Sequence, residues 1–269
     1  HKLVSREAHP EDSTVNAGGA VVGSKKIQVM AGPCSVESED QLMKTAHAVK
    51  AAGATMLRGG AYKPRTSPYE FQGLGEEGLK LLAKAREETG LPIVTELLSQ
   101  DQAELVADYA DMLQIGTRNA QNFQLIIAAA KTGKPVLLKR GMSMRIMEWL
   151  LAGEYVLANR NPNLLFCERG IRTFEDYTRN TLDLSAVAIV KAESHCPIVV
   201  DPSQGCGKAK LVRSMCKGAL AMSADALLVE VHPDPAHAIS DAAQQIDLDG
   251  FGELMKELKP IAESVGRVL

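Results

Sequence analysis

Eight short apolar runs along this chain each break off into a charged or sulfur-bearing residue, and that regularity restricts the fold more than any single motif. The runs are IQVMAGPC (ending at Cys34), TMLRGG (Arg58), PIVTE (Glu96), DMLQIGTR (Arg118), PVLLKR (Lys139, Arg140), NLLFCER (Glu168, Arg169), PIVVDPSQ (Asp201, Gln204) and ALLVEVH (Glu230, His232). Continuous Val/Ile/Leu runs of this length read as parallel strands buried on both faces. Eight of them predict an α/β fold, a (β/α)8 barrel of the TIM type, with its active site at the carboxyl ends of the strands. Guanidinium, ammonium, carboxylate and thiol groups would then converge on one pocket. Such a pocket suits a small, multiply anionic substrate, with phosphate the first candidate.

Length and composition agree. At 269 residues, 45% hydrophobic and 23% charged, the chain matches one such barrel, for which about 250 residues is typical. Aromatics are only 4%, so the core must be aliphatic. A net charge of −3 gives no support for nucleic-acid or membrane partners and makes the strand-end cations a local cluster. Five cysteines without paired spacing favour reduced thiols and a cytoplasmic enzyme. No run approaches 18 apolar residues. The first residue, His1, reads as a processed end.

Helical periodicity fills the gaps between strands, over 38–52, 76–88, 101–109, 120–131, 143–158, 180–193, 208–222 and 236–244, with 252–265 closing the ring. The joints AAGATML, ADYADML and MSADALL are alike, a weak internal repeat in keeping with repeated βα units. VNAGGAVVGSKKIQV reads as a β-hairpin able to cap the closed end of the barrel. The expected organisation is an extension with a hairpin over 1–26 and a catalytic barrel over 27–269.

Two constellations carry chemistry. The loop after Arg58 holds Lys63, Pro64, Arg65, Thr66 and Ser67, a stiff stretch with two cations and two hydroxyls, and Arg118, Lys139 and Arg169 sit at other strand ends. Together they suit phosphate better than a solvated basic turn would. Glu96 is expected to orient these cations or position a water, and Glu168 to act similarly or to form a structural ion pair with Arg169. The second group is Cys34, Gln204, Glu230 and Asp241. Strands one and eight are neighbours in a closed barrel, so a thiolate and two carboxylates can meet around a divalent cation, with Asp241 in the helix that follows strand eight. Against this, a buried Cys is usually a small apolar residue and an Asp near a helix start is often a cap. Strand alternation is expected to turn His232 away from Glu230, leaving His232 and His237 as structural histidines.

Several stretches together resemble one family: MAGPCSVES (30–38), LRGGAYKPRTSP (57–68), QIGTRN (114–119), LKRG (138–141), CERGIRTF (167–174) and VEVHP (229–233). They are similar to the 3-deoxy-D-arabino-heptulosonate 7-phosphate (DAHP) synthases of the short, type I-beta group, over nearly the whole chain. The resemblance implies a (β/α)8 barrel, commonly tetrameric, or else a dimer. It also implies condensation of phosphoenolpyruvate with erythrose 4-phosphate at the entry to the shikimate pathway. By matched motif, Arg58, Lys63, Arg118, Lys139 and Arg169 would hold phosphoenolpyruvate, and Lys63 to Ser67 the aldose phosphate. Cys34, Glu230 and Asp241 would hold a metal of the Mn, Fe, Co or Zn class. Lys63, Glu96 and Lys139 are the candidate catalytic residues.

One departure stands out. The family's fourth metal ligand is a His in Asp-Pro-Ser-His, and here the motif reads Asp201-Pro202-Ser203-Gln204. A carboxamide oxygen is a weaker ligand than imidazole for such metals, so a weakened metal site is expected. A divergent paralogue with another acceptor or reaction, and a non-catalytic protein that binds phosphorylated metabolites, stay open as alternatives. A 3-deoxy-octulosonate 8-phosphate synthase would need a different aldose loop. A Schiff-base aldolase would need Lys139 as a free amine.

Overall fold

The computed structural model describes residues 2–269; the reading of His1 lies outside them. The chain opens with an antiparallel hairpin, β1 (Val15–Ala17) and β2 (Ala20–Val22), turned by Gly18 and Gly19. Both glycines have positive φ, which suits a two-residue hairpin turn. Units of strand and helix follow: β3 (Gln28–Gly32), α1 (Glu39–Ala52), β4 (Met56–Arg58), α2 (Glu76–Thr89), β5 (Ile93–Glu96), α3 (Ala103–Tyr109), β6 (Met112–Ile115) and α4 (Phe123–Lys131). The second half adds β7 (Val136–Lys139), α5 (Ile146–Ala158), β8 (Leu164–Glu168), α6 (Ser185–Glu193), β9 (Ile198–Val200), α7 (Pro202–Cys206), α8 (Ala209–Ala221), β10 (Ala226–Glu230) and α9 (Leu248–Ser264). Strands β3 to β10 form a closed parallel barrel, with β10 pairing back onto β3 from Ala226 opposite Gln28 to Glu230 opposite Gly32.

The alternation of side chains along each strand builds two cores. Met30, Met56, Val94, Met112, Leu137, Leu165, Cys167, Val199, Ala226 and Leu228 fill the barrel interior. Their immediate neighbours, such as Val29, Leu57, Leu113, Leu138, Phe166 and Val229, pack outward against the helices. The hairpin belongs to the inner layer. Val15, Ala17, Ala20 and Val22 join the interior cluster, so the hairpin plugs the barrel at the amino ends of its strands. Val15 and Val22 have no exposed surface, and each buried valine of this kind stabilises the fold by roughly 1.5–3 kcal/mol.

Helix limits follow local chemistry. Ser38 caps α1 by accepting from Gln41 N, and Gly53 ends it in the left-handed region. The helix expected over 120–131 starts at Phe123 because Asn122 caps it, and that expected over 143–158 starts at Ile146. The one expected over 180–193 starts at Ser185, since Thr181 is bridged to Ile171. The helix expected over 236–244 does not form. Only a short 3-10 turn, Pro235–His237, is present, and Asp241 has φ 49°. Ser240, Gln244 and Gln245 are buried with their side chains bonded across the barrel mouth, to Ser35, Glu230 and the Cys34 amide, which competes with a helical backbone. Asp241 therefore sits in an irregular turn and not in a helix. Among the described residues no helix is long and apolar enough to cross a membrane.

Close packing at the barrel mouth has one direct consequence. A Cβ at Gly32 would lie 2.0 Å from the carbonyl oxygen of Arg58 on the paired strand. Gly32→Ala is expected to lower stability by about 2 kcal/mol or more, because backbone must move to admit it. An unchanged denaturation midpoint, followed by circular dichroism, would show that β3 and β4 can part without loss.

Candidate active site

The two-residue period that builds the core also decides which strand-end groups reach the mouth. Met56 points inward, so Arg58 does too; Val94 brings Glu96, Met112 brings Gln114 and Leu137 brings Lys139. Cys167 is followed in the same way by Arg169, Val199 by Asp201 and Leu228 by Glu230. Residues one step along face the helices, and Glu168 accordingly pairs at 2.7 Å with Arg140 outside the cavity, and not with Arg169 as expected, because Arg169 points to the opposite face. Glu168 Oε2 also accepts from Gly170 N, and Arg140 Nη1 reaches Asp183, so Glu168 is a buried structural carboxylate.

The mouth encloses a cavity of about 280 Å³. Its wall brings together Cys34, Arg58, Lys63, Pro64, Arg65, Thr66, Glu96, Arg118, Lys139, Arg169, Gln204 and Asp241. Ser67 is not on that wall. Its Oγ accepts from Tyr69 N at 3.3 Å, closing a local turn that carries the hydroxyl away from the cavity. Glu230 is fully buried just behind the wall. Six wall residues are absent from the sequence-based set: Glu70, Gln114, Gly116, Thr117, Arg179 and Ser240. Inward parity would have found Gln114. Arg179 lies on the loop after β8, where no periodic signal marks it.

One half of the cavity is short of negative charge. Arg58 and Arg169 are 5% and 6% exposed, yet Nε and Nη1 of both have no hydrogen-bond partner, and neither has the buried Nη1 of Arg65; Arg58 Nη1 only approaches Glu230 Oε1 at 3.6 Å. A buried, unpaired donor costs about 1–3 kcal/mol, and more when charged, so these atoms are aimed at an anion. Burial lowers the pKa of Arg169; Asp201 opposes this, while Arg179 and Arg118 add to it. Lys139 is anchored at 2.7 Å from Asp201, which is itself fully buried. Asp201 thus engages the nitrogen directly, whereas a Schiff base needs it free to attack a carbonyl. Burial works against charge on Lys63, but Cys34 and Glu96 outweigh it and its pKa is raised. Its Nζ donates to Cys34 O at 3.2 Å. Glu96 accepts from Gln114 Nε2 at 3.3 Å and fits only because Gly116 lacks a Cβ, which would lie 2.4 Å from Glu96 Oε2. At the rim, Arg118 Nη2 is 3.5 Å from Thr66 Oγ1.

The other half is acidic. Ligand atoms of Cys34, Glu230 and Asp241 all lie within 4.8 Å of one another, a spacing and donor set that suit a divalent cation. Burial pushes the Cys34 thiol up to about 12. Burial also raises Asp241, but Arg179, the Cys34 thiol, Lys63 and the Gln204 amide outweigh it and hold this carboxyl well below the usual range. Glu230 is driven upward by burial and then by Asp241. Gln204, which opens α7 under the Asp201 cap, does not present a lone pair to this cluster: its Nε2 faces the two carboxylates. His232 Nε2 bonds Glu37 at 2.9 Å and its Nδ1 accepts from Asp234 N, so it is a satisfied structural histidine. Alternation is not the cause, since residues two apart share a face; β10 ends at Glu230 and the chain then leaves the barrel. His237 is exposed and bonds Asp234 at 2.7 Å.

Residues 10–264 match the DAHP synthetase I family. The chain is 52% identical over 266 residues to phospho-2-dehydro-3-deoxyheptonate aldolase of Thermotoga maritima, covering 99% of this chain and 79% of that protein. The crystal structure of the Thermotoga maritima enzyme, called DAHP synthase, superposes over the whole chain and 78% of its own, with a TM-score of 0.97 and 51% identity. A truncated form of the 3-deoxy-D-arabino-heptulosonate 7-phosphate synthase from the same organism gives 0.93 at 49% identity, covering 99% of this chain and 98% of its own. More distant is 2-dehydro-3-deoxyphosphooctonate aldolase of Nitratidesulfovibrio vulgaris, 32% identical over 251 residues, 87% of this chain and 91% of that protein.

Proposed function

Because the chain belongs to the DAHP synthetase I family, we propose that it condenses phosphoenolpyruvate with erythrose 4-phosphate, giving DAHP and inorganic phosphate. The observation that supports this reading best is the set of buried guanidinium nitrogens without a hydrogen-bond partner, on Arg58, Arg65 and Arg169, beside Lys139 and Lys63. Arg58, Arg169 and Lys139, at the bottom of the cavity, hold the phosphate and carboxylate of phosphoenolpyruvate. Lys63, Pro64, Arg65 and Thr66, with Arg118 at the rim, hold the phosphate of the aldose. Ser67 is left out, since its hydroxyl is used within its own loop.

Each group then has a task in the bond changes. The methylene carbon of phosphoenolpyruvate attacks the aldehyde carbon and forms the new C–C bond. The aldehyde oxygen takes up a proton, which the Lys63 ammonium is placed to give. Water adds at the enol carbon with Glu96 as the proton acceptor; the C–O bond to phosphate then breaks as the new hydroxyl becomes the ketone and its proton leaves with the phosphate. The cations neutralise charge on both phosphates throughout. A divalent cation of the Mn, Fe, Co or Zn class, held by Cys34, Glu230 and Asp241, would supply Lewis-acid polarisation of the aldehyde. The reading carries with it a cytoplasmic enzyme that assembles as a tetramer or dimer of identical chains.

A phosphate-release assay with phosphoenolpyruvate and erythrose 4-phosphate, with and without Mn²⁺, tests the proposal. Release with this pair supports it. Release only with a five-carbon aldose phosphate would replace it with the octulosonate reading, which the relative from Nitratidesulfovibrio vulgaris represents. Calorimetric binding of phosphoenolpyruvate with no release under any condition would leave a non-catalytic phosphometabolite binder.

A further inference from the structure

Every oxygen of the Glu230 and Asp241 carboxylates already has a donor from the protein. Gln204 Nε2 lies 2.9 Å from Glu230 Oε1 and 2.9 Å from Asp241 Oδ2, bridging the two acids. Gln244 Nε2 adds contacts of 2.7 Å to Glu230 Oε2 and 3.3 Å to Asp241 Oδ2. Arg179 Nη1 reaches Asp241 Oδ1 at 3.3 Å, and the Cys34 thiol donates to Asp241 Oδ2 at 3.2 Å.

The direction of both carboxamides is determined by their far ends. Gln204 Oε1 accepts from Arg169 Nη2 at 3.2 Å, and Gln244 Oε1 from Arg179 Nη1 at 2.8 Å. Turning either amide over would set an oxygen against a carboxylate and an NH2 against a guanidinium. The Gln204 backbone is held independently of this network, its N by Asp201 Oδ1 at 3.0 Å and its O by Asn180 Nδ2 at 2.9 Å. Its side chain can therefore be changed without moving α7.

We infer that Gln204 is a clasp, holding the Glu230–Asp241 pair in a cation-free arrangement, so that a divalent ion enters only by displacing its amide. The inference rests on the reading of Cys34, Glu230 and Asp241 as the cation site of a synthase and deepens it. Hydrogen bonds to charged acceptors are the stronger ones, and an entering ion must compete with all those that Gln204 makes. A clasp and a ligand predict opposite signs: removing a ligand weakens the ion's hold, whereas removing a clasp tightens it.

Titration of the metal-stripped protein with Co²⁺, followed by the near-ultraviolet thiolate-to-cobalt absorption with Cys34→Ser as the blank, reads that sign without any turnover. Gln204→Ala, and the shorter amide of Gln204→Asn, are expected to bind Co²⁺ roughly tenfold more tightly than the native chain. Equal or weaker binding by both, including no absorption in any of the three at millimolar Co²⁺, overturns the inference. Calorimetry with phosphoenolpyruvate on the native chain separates the two readings. Absence of that binding would remove the synthase assignment while the cobalt comparison still decides the role of Gln204.

Discussion

Arg169→Met is expected to weaken phosphoenolpyruvate binding about 30-fold or more, the scale of one lost charge-assisted contact of about 2 kcal/mol in a buried site. Methionine keeps most of the stem and removes only the fork. In the native chain Arg169 is 6% exposed, spends one donor on Gln204 and leaves Nε and Nη1 with no partner. It also sits near two like charges, Arg179 and Arg118, which with burial depress its pKa. The unliganded protein thus gains little from this guanidinium, and its thermal midpoint should not fall in the variant. Calorimetry and thermal unfolding on the same sample make the comparison. Unchanged affinity would remove Arg169 from the binding set, and a large loss of stability would mark it as structural.

Lys139→Met is expected to act in the opposite way on stability. Its ammonium is the partner of Asp201 Oδ2 at 2.7 Å, and Asp201 has no exposed surface. Leaving that carboxylate buried and uncompensated should cost about 3–5 kcal/mol. Asp201 has a second duty, since its Oδ1 caps α7 by accepting from Gln204 N. Asparagine can keep that cap with its amide oxygen, so the double variant Lys139→Met, Asp201→Asn should recover most of the lost stability. Phosphate release should be abolished in both. Denaturant titration of the two single variants and the double one gives the coupling directly. A single Lys139→Met variant as stable as the native chain would show that Asp201 finds another partner.

How much of this was legible beforehand depends on the distance over which each fact is encoded. The eight apolar runs correspond to the eight barrel strands, because a strand buried on both faces needs an unbroken aliphatic stretch and a strand end is where that need stops. The hairpin was legible for the same local reason, through Gly18-Gly19 between two short apolar stretches. The cation set was legible as strand-end residues and as matched motifs. Parity could have sharpened it, since stepping by two from Leu137 reaches Lys139 and misses Arg140. The helix expected over 236–244 shows where local reading stops. Its apolar spacing is adequate, but Ser240, Asp241, Gln244 and Gln245 find better partners across the barrel mouth than along a helix.

The sequence by itself determined the strand ends, their inward or outward sense and the presence of Gln204 after Asp201-Pro202-Ser203, because each is written in neighbouring residues or in a period of two. The tertiary structure alone decided what those groups meet. Ring closure brings β10 against β3 and places Cys34 beside Glu230 and Asp241, residues about 200 positions away in the chain. The loop after β8 lays Arg179 against Asp241, and α7 turns the Gln204 amide so that its NH2 and not its oxygen faces both acids. Hydrogen-bond direction depends on the partner at each end of a side chain. Those partners, Arg169 on one side and two carboxylates on the other, become neighbours only when the barrel closes.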